Sequence, residues 1–351
     1  MQRGIAVIAI ILHHWLYYLQ WEKSSYLVDV IVGTFIGGVS GTFVHLFFVI
    51  SGCGLTIAYF ENRTISWRKW AKKRFLKIII PYWIVVTSTF IMINLINYTM
   101  PTLFKNSCPW FILLTYLSFL QNFIGHSQDF NGPLWFIPVI IGLYMLFPVL
   151  IFILNRHGIA IFTIISALIT YLSISLSIYI GYPVDHGHAI FAYYLIEFSF
   201  GMTWAYIIFH HQNSIHMLKG YNLFFIGIIF YLISWSIKSL WAYGNEFNDI
   251  FTAVGLFFIT LPVCQLIGRI APKIINYLNY CSDQSYLMYL IHGPIIIFVL
   301  TPIMGDIIRH HIIGTTMIVL ACFYCLAIFL LAKLIAPLIK SLTLQLQWTD
   351  R

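Results

Sequence analysis

Charge is what this chain has least of. Only 9% of its 351 residues are Asp, Glu, Lys or Arg, while 60% are hydrophobic. A soluble domain carries roughly 25% charged residues, so too few polar side chains are present to cover a surface in water. Segments of alternating polarity about ten residues long are also missing, which excludes a transmembrane β-barrel. Gly/Ser linkers, low-complexity tracts and internal repeats are absent, and the chain reads as one domain, 1–351, with no soluble stretch long enough for an appended one. No small-residue cleavage pattern follows Arg3, so no removable signal peptide is expected. A disulfide framework is missing as well. Cys53, Cys264, Cys322 and Cys325 fall in apolar runs, and Cys108 and Cys281 lie near run ends. Cys322-Phe-Tyr-Cys325 has a redox spacing without the βαβ context that would give it meaning.

What is present is a series of apolar runs that approach or exceed the roughly 20 residues a spanning helix needs. Mean hydropathy is +0.88. The expected fold class is therefore an all-α polytopic membrane protein. About ten transmembrane helices are expected, near 4–20, 33–60, 78–99, 135–154, 159–180, 190–209, 221–241, 250–270, 285–304 and 312–332. The gap after the second run holds Arg63, Arg68, Lys69, Lys72, Lys73, Arg74 and Lys77 against the single acid Glu61. By the positive-inside rule this gap is cytoplasmic, which places both termini inside. Arg156, Lys219, Arg269, Lys273, Lys333 and Lys340 fall on the same side, and Glu22, Asp29, Asp129, Asp185, Glu246, Asp249 and Asp306 on the other. The run 110–124, flanked by Pro109 and Gly125, reads as an interfacial or re-entrant helix, because an eleventh span would put Arg156 outside. The +8 net charge sits between spans, where it serves topology and attraction to membrane lipids; nucleic acid is not an expected partner. Gly33, Gly37 and Gly41 suggest a close helix-packing face.

Ionisable groups inside such runs cost roughly 2.5–3.5 kcal/mol each when central in the bilayer, so each raises a functional question. Arg3 and His14 lie eleven residues apart, close to three helical turns, on one face and roughly 16 Å apart along the axis. An imidazole at that depth can take a proton from a hydroxyl. A helix–helix hydrogen bond would account for His14 equally well. Glu197 is the clearest acid within a run and is expected to face the bundle interior, where it could orient His14 or simply bind a neighbouring helix. His292 and His45 are further intramembrane candidates, whereas His186, His188, His210, His211, His310 and His311 read as solvated or interfacial. No metal site is expected.

Several blocks recur in order along the chain: Arg3…His14, Phe47-Phe48-Val49-Ile50-Ser51-Gly52, Arg74…Lys77 before Pro81-Tyr82-Trp83, Leu134 to Pro148, Glu197-Phe198-Ser199-Phe200-Gly201, and Ser285 to His292. Together they resemble the acyltransferase-3 family of integral membrane acyltransferases, which O-acylate bacterial surface carbohydrates. The resemblance implies a ten-helix core in the plasma membrane that takes an acyl group, acetyl first among the choices, from cytosolic acetyl-CoA or another short acyl-CoA. The acceptor it implies is a carbohydrate, free or lipid-linked. It also implies His14 as catalytic base with Arg3 as its companion, and Arg74 at the CoA donor. The chemistry of the 68–77 cluster agrees, because Arg presents a fork suited to phosphate. Arg68, Lys73, Arg74 and Lys77 are thus the expected donor-binding residues, and His14, Arg3, Glu197 and His292 the expected catalytic set.

Three departures stand out. Val139-Ile140-Ile141-Gly142-Leu143-Tyr144 replaces a carboxylate-bearing stretch, His45 stands where aspartate is common, and no SGNH esterase-like domain follows. The last suggests a single-domain member that completes transfer itself or hands the acyl group to a separate partner protein. The competing class is a transporter or flippase for a polysaccharide or lipid-linked sugar. Transporters more often show paired, symmetry-related broken helices, and none is visible here.

Overall fold

A computed structural model describes residues 1–19, 38–61, 66–97, 108–126, 131–210, 220–302 and 314–348. Among these residues the chain is helical throughout, with no strand. The long elements are α1 (Gln2–Tyr18), α2 (Phe43–Glu61), α3 (Trp67–Asn97), α4 (Pro109–Leu117), α5 (Phe136–Tyr179), α6 (Leu195–His210), α7 (Gly220–Leu240), α8 (Asp249–Ile270), α9 (Pro272–Ile295, continued by a π turn over Ile296–Leu300) and α10 (Gly314–Trp348). Gly33, Gly37, Arg63, Lys219, His211, His310 and His311, with the acids Glu22, Asp29, Asp129 and Asp306, lie outside the described residues.

Seven helices among the described residues are long and apolar enough to cross a membrane. One of them, Gly132–Tyr179, has 48 residues, about twice what one crossing needs. Gly158 breaks it with φ 77°, between the two runs expected at 135–154 and 159–180. Only glycine adopts that left-handed conformation without a steric cost. α4 has nine residues, about 14 Å of helix, too short to span. Pro109 starts it, and a turn with Phe119 at φ 60° follows it.

Several helices are longer than the apolar pattern suggested. α3 starts at Trp67, not near residue 78, so the basic run expected as a loop forms its first turns. Trp67-Arg-Lys-Trp-Ala-Lys-Lys-Arg contains no Gly or Pro, and Ala, Lys and Arg are good helix formers. α9 likewise starts at Pro272, where a proline is tolerated in the first turn. α10 continues past 332 to Trp348, which puts Lys333 and Lys340 on a helix instead of in a tail.

Small residues set the packing. A Cβ on Gly52 would strike the carbonyl of Phe198, and one on Gly201 the carbonyl of Val49. α2 and α6 therefore run side by side, parallel, with backbones in contact, which is the close approach that glycines permit in membranes. Gly4 meets Leu278 in the same way, and with the His14–His292 contact near the far ends this makes α1 and α9 parallel. Gly227 and Gly255 oppose each other across the antiparallel pair α7 and α8. A Cβ on Gly41 would meet the ring of His13, so the one described glycine of the expected stripe packs against α1.

Candidate active site

Two polar clusters and a basic pocket occupy the interior. The pocket, about 570 Å³, lies at the end of the bundle where α1 and α3 begin and α10 finishes. Arg3, Lys73, Arg74, Lys77 and Lys340 line it with Asp283 as the only acid. Its inner wall is aromatic: Phe47, Phe136, Tyr144, Tyr286 and Tyr289. Five cations around one cavity form a site for a polyanion, and the guanidinium fork suits phosphate. Of the expected donor-binding residues, Lys73, Arg74 and Lys77 are brought together here. Arg68 is exposed and outside the lining, because it sits nearly two turns earlier on α3. Arg3 belongs to this pocket, with its guanidinium lying over Gly54 of α2. Lys340, from the unexpected extension of α10, completes the ring of charge. Nothing but its position in a basic helix end could have marked it in advance.

Behind the pocket wall lies a pair of histidines. Tyr289 lines its wall, and the Tyr289 ring lies 5.5 Å from that of His292, centroid to centroid. His292 Nε2 is 3.0 Å from His14 Nδ1. His292 is fully buried and fixed on both sides. Its Nδ1 donates to the Tyr289 carbonyl at 2.6 Å, and its own carbonyl accepts from the Tyr324 hydroxyl at 2.6 Å. Tyr289 in turn donates to the carbonyl of Pro133, and Trp15 packs on Tyr324 with centroids 5.0 Å apart.

These partners decide where the protons sit. A carbonyl only accepts, so His292 Nδ1 carries hydrogen. In the neutral ring Nε2 is then an acceptor, and His14 Nδ1 must donate to it. That leaves the lone pair of His14 on Nε2, the atom a general base uses. His14 is half-buried and keeps accessible surface.

The second cluster lies at the opposite end, at the starts of α2, α6 and α8. His45 Nδ1 donates to Glu197 Oε1 at 3.1 Å, and His45 Nε2 is 3.5 Å from Asp249 Oδ1. Both acids occupy the first turn of their helices, where the dipole favours negative charge. Glu197 faces the bundle interior as expected, but its partner is His45, not His14. Two distinct helix pairs keep them apart: α1 serves α9, and α2 serves α6. Asp249, expected in a loop, is the first residue of α8 and faces His45.

His186 links the two clusters. It was expected to be solvated or interfacial, and it is exposed, but its ring also packs against protein. Asp185 caps the short turn His186–His188 by accepting from the His188 backbone N–H at 2.9 Å, and this turns the His186 ring onto Trp135, with centroids 4.5 Å apart. The ring keeps accessible surface while protein atoms crowd one side of it. Desolvation first, and then the nearby His45, hold its pKa below the ordinary histidine value, at about 4. It lies within electrostatic reach of both His14 and His45. Asp185-His-Gly-His was a legible capping signal. The direction in which it aims the ring was not.

The fold and site thus define a polytopic helical membrane protein with a basic pocket separated by the Tyr289 ring from a histidine pair. The chain matches the acyltransferase-3 family model, described as an acyltransferase domain, over residues 2–336, and it belongs to that family. No curated protein and no solved structure matches it.

Proposed function

We propose that this acyltransferase is an O-acyltransferase of the plasma membrane. It moves a short acyl group, acetyl in the first instance, from cytosolic acyl-CoA to a hydroxyl of a cell-surface or lipid-linked carbohydrate. The observation that carries the reading is the nearness of the basic pocket to the histidine pair, with the Tyr289 ring lining the one and lying against the other. In this reading ten helices cross the bilayer, the two halves of α5 counting separately, and both termini are cytoplasmic. The basic pocket then faces the cytosol, where acyl-CoA is, and the turn at His186 faces the outer side, where the carbohydrate arrives.

Arg3, Lys73, Arg74, Lys77 and Lys340 hold the phosphates of CoA and leave the thioester toward Tyr289. His14 Nε2 takes the proton of the acceptor hydroxyl as its oxygen attacks the thioester carbonyl. The C–S bond breaks, the sulfur leaves with the bonding pair, and the proton passes from the His14 imidazolium to the CoA thiolate. His292 accepts the hydrogen bond from His14 Nδ1 throughout and so holds the ring in its reactive tautomer, the role an acceptor plays beside a catalytic histidine. General base catalysis of this type contributes roughly 10²–10⁴-fold.

The test uses purified protein in lipid nanodiscs with radiolabelled acetyl-CoA. Protein-dependent release of free CoA, faster when a carbohydrate acceptor is added, is the expected result. Folded protein that neither binds acetyl-CoA nor releases CoA would overturn the reading and favour carbohydrate transport.

A further inference from the structure

His45, Glu197 and Asp249 have no part in the chemistry above, yet they are the most concentrated set of ionisable groups among the described residues of the bundle. Each contributes one donor atom to a group whose members all lie within 4.8 Å of one another, from three different helices. Oxygen and nitrogen ligands about 2.0–2.2 Å from a zinc ion lie about 3.4 Å apart, close to the 3.5 Å between His45 Nε2 and Asp249 Oδ1. A second observation is independent of this convergence. Glu197 is fully buried, and its Oε2 has no hydrogen-bond partner. A carboxylate oxygen stripped of water and left without a donor is costly.

Charge gives the third argument. Two carboxyl groups face a single imidazole in the cluster. Lys238 and Glu246 are both within electrostatic reach of Asp249 and offset one another. His186, the other ring near His45, stays neutral at ordinary pH. A divalent cation on two carboxylates and a neutral imidazole sums to zero, the arrangement a low-dielectric interior favours.

We propose that these residues bind a divalent first-row transition-metal ion, with His45, Glu197 and Asp249 each supplying one ligand atom. The unpartnered Oε2 is the Glu197 atom offered to the ion, and its binding there replaces the hydrogen bond between Oε1 and His45 Nδ1. Three protein ligands leave one coordination position open. Asp249 is the one partly accessible residue of the three. One imidazole and two carboxylates suit zinc, cobalt, iron or manganese, and zinc binds tightest of these four. This inference does not depend on the acyl-transfer reading.

The experiment strips the full-length purified protein with EDTA, adds a slight excess of Zn²⁺, desalts it and measures retained metal by mass spectrometry of the elements. Wild type is expected to retain about one equivalent and to melt at a higher temperature with zinc than without, since a ligand that binds only the folded state stabilises it. Glu197→Gln and Asp249→Asn are expected to lose both effects. Cobalt titration of the wild type gives a second readout that needs no variant: visible d–d bands saturating at about one equivalent. Failure of folded wild type to retain zinc or to develop cobalt bands would overturn the proposal. So would equal zinc retention by wild type and folded Asp249→Asn, which would mark the ion as adventitious.

Discussion

His14 Nδ1 stands 3.0 Å from His292 Nε2, across 278 residues of sequence. Because His292 spends its other nitrogen on the Tyr289 carbonyl, this contact fixes which nitrogen of His14 is free. The account of the site follows from that single tautomeric constraint, and so does its first prediction.

His292 is a positioning residue that acts through His14. Replacing it by Leu removes the acceptor for His14 Nδ1 and is expected to lower kcat about 100-fold, with donor KM unchanged. His292→Gln is expected to recover a large part of the loss, since its amide can donate to Tyr289 and accept from His14. A merely structural role would not distinguish the two in kcat at equal thermal stability. Equal rates for the Leu and Gln variants would contradict the tautomer argument.

The donor pocket makes a prediction about binding. Arg74→Ala and Lys340→Ala are each expected to raise donor KM about tenfold, the scale of one charge-assisted hydrogen bond, and to leave acceptor KM unchanged. Arg68→Ala, outside the pocket, is expected to change donor KM little. Added salt should weaken donor binding in the wild type, because part of the attraction is screened. An Arg68 effect as large as that of Arg74 would mean that surface charge, not the pocket, recruits the donor.

Backbone contact between α2 and α6 predicts a stability effect. A methyl group on Gly201 has no space beside the Val49 carbonyl, so Gly201→Ala is expected to destabilise the protein by about 1–3 kcal/mol or prevent its folding. Gly38→Ala meets nothing within 4 Å and serves as the control. Thermal melts in detergent separate the two; coincident melts would show that the helices do not touch there.

His186 gives a pH dependence. Its folded-state pKa, near 4, is lower than the ordinary value of 6.5, so the unfolded chain takes up a proton first as pH falls. This residue therefore costs stability progressively from about pH 6.5 down to about pH 4 and nothing further below. His186→Phe, which keeps the stack on Trp135 without a titrating group, is expected to flatten the decline of melting temperature across that window. An identical slope in both proteins would place the imidazole in bulk water.

How far the sequence anticipated this arrangement depends on the range of the interaction. The helical class, the basic face of α3 and the break before the second half of α5 are local signals: apolar length, clustered Arg and Lys, and a glycine after Arg156 and His157. Arg3, His14 and His292 were visible as polar groups in apolar runs. What no local pattern contains is pairing. Glu197 was a reasonable partner for His14 as an isolated acid, but the glycine contacts that bring α2 against α6 deliver His45 to it instead. Lys340 was hidden because hydropathy falls before helix α10 ends. His186 was hidden because a capped turn, not burial of an apolar run, decides where its ring points.

The most direct test compares wild type with His14→Ala in nanodiscs, following acetyl-CoA binding and the release of free CoA together. The account predicts that the variant binds acetyl-CoA as the wild type does, since the basic pocket is untouched, while acceptor-stimulated release falls to the background rate. Release at the wild-type rate from folded His14→Ala would contradict it.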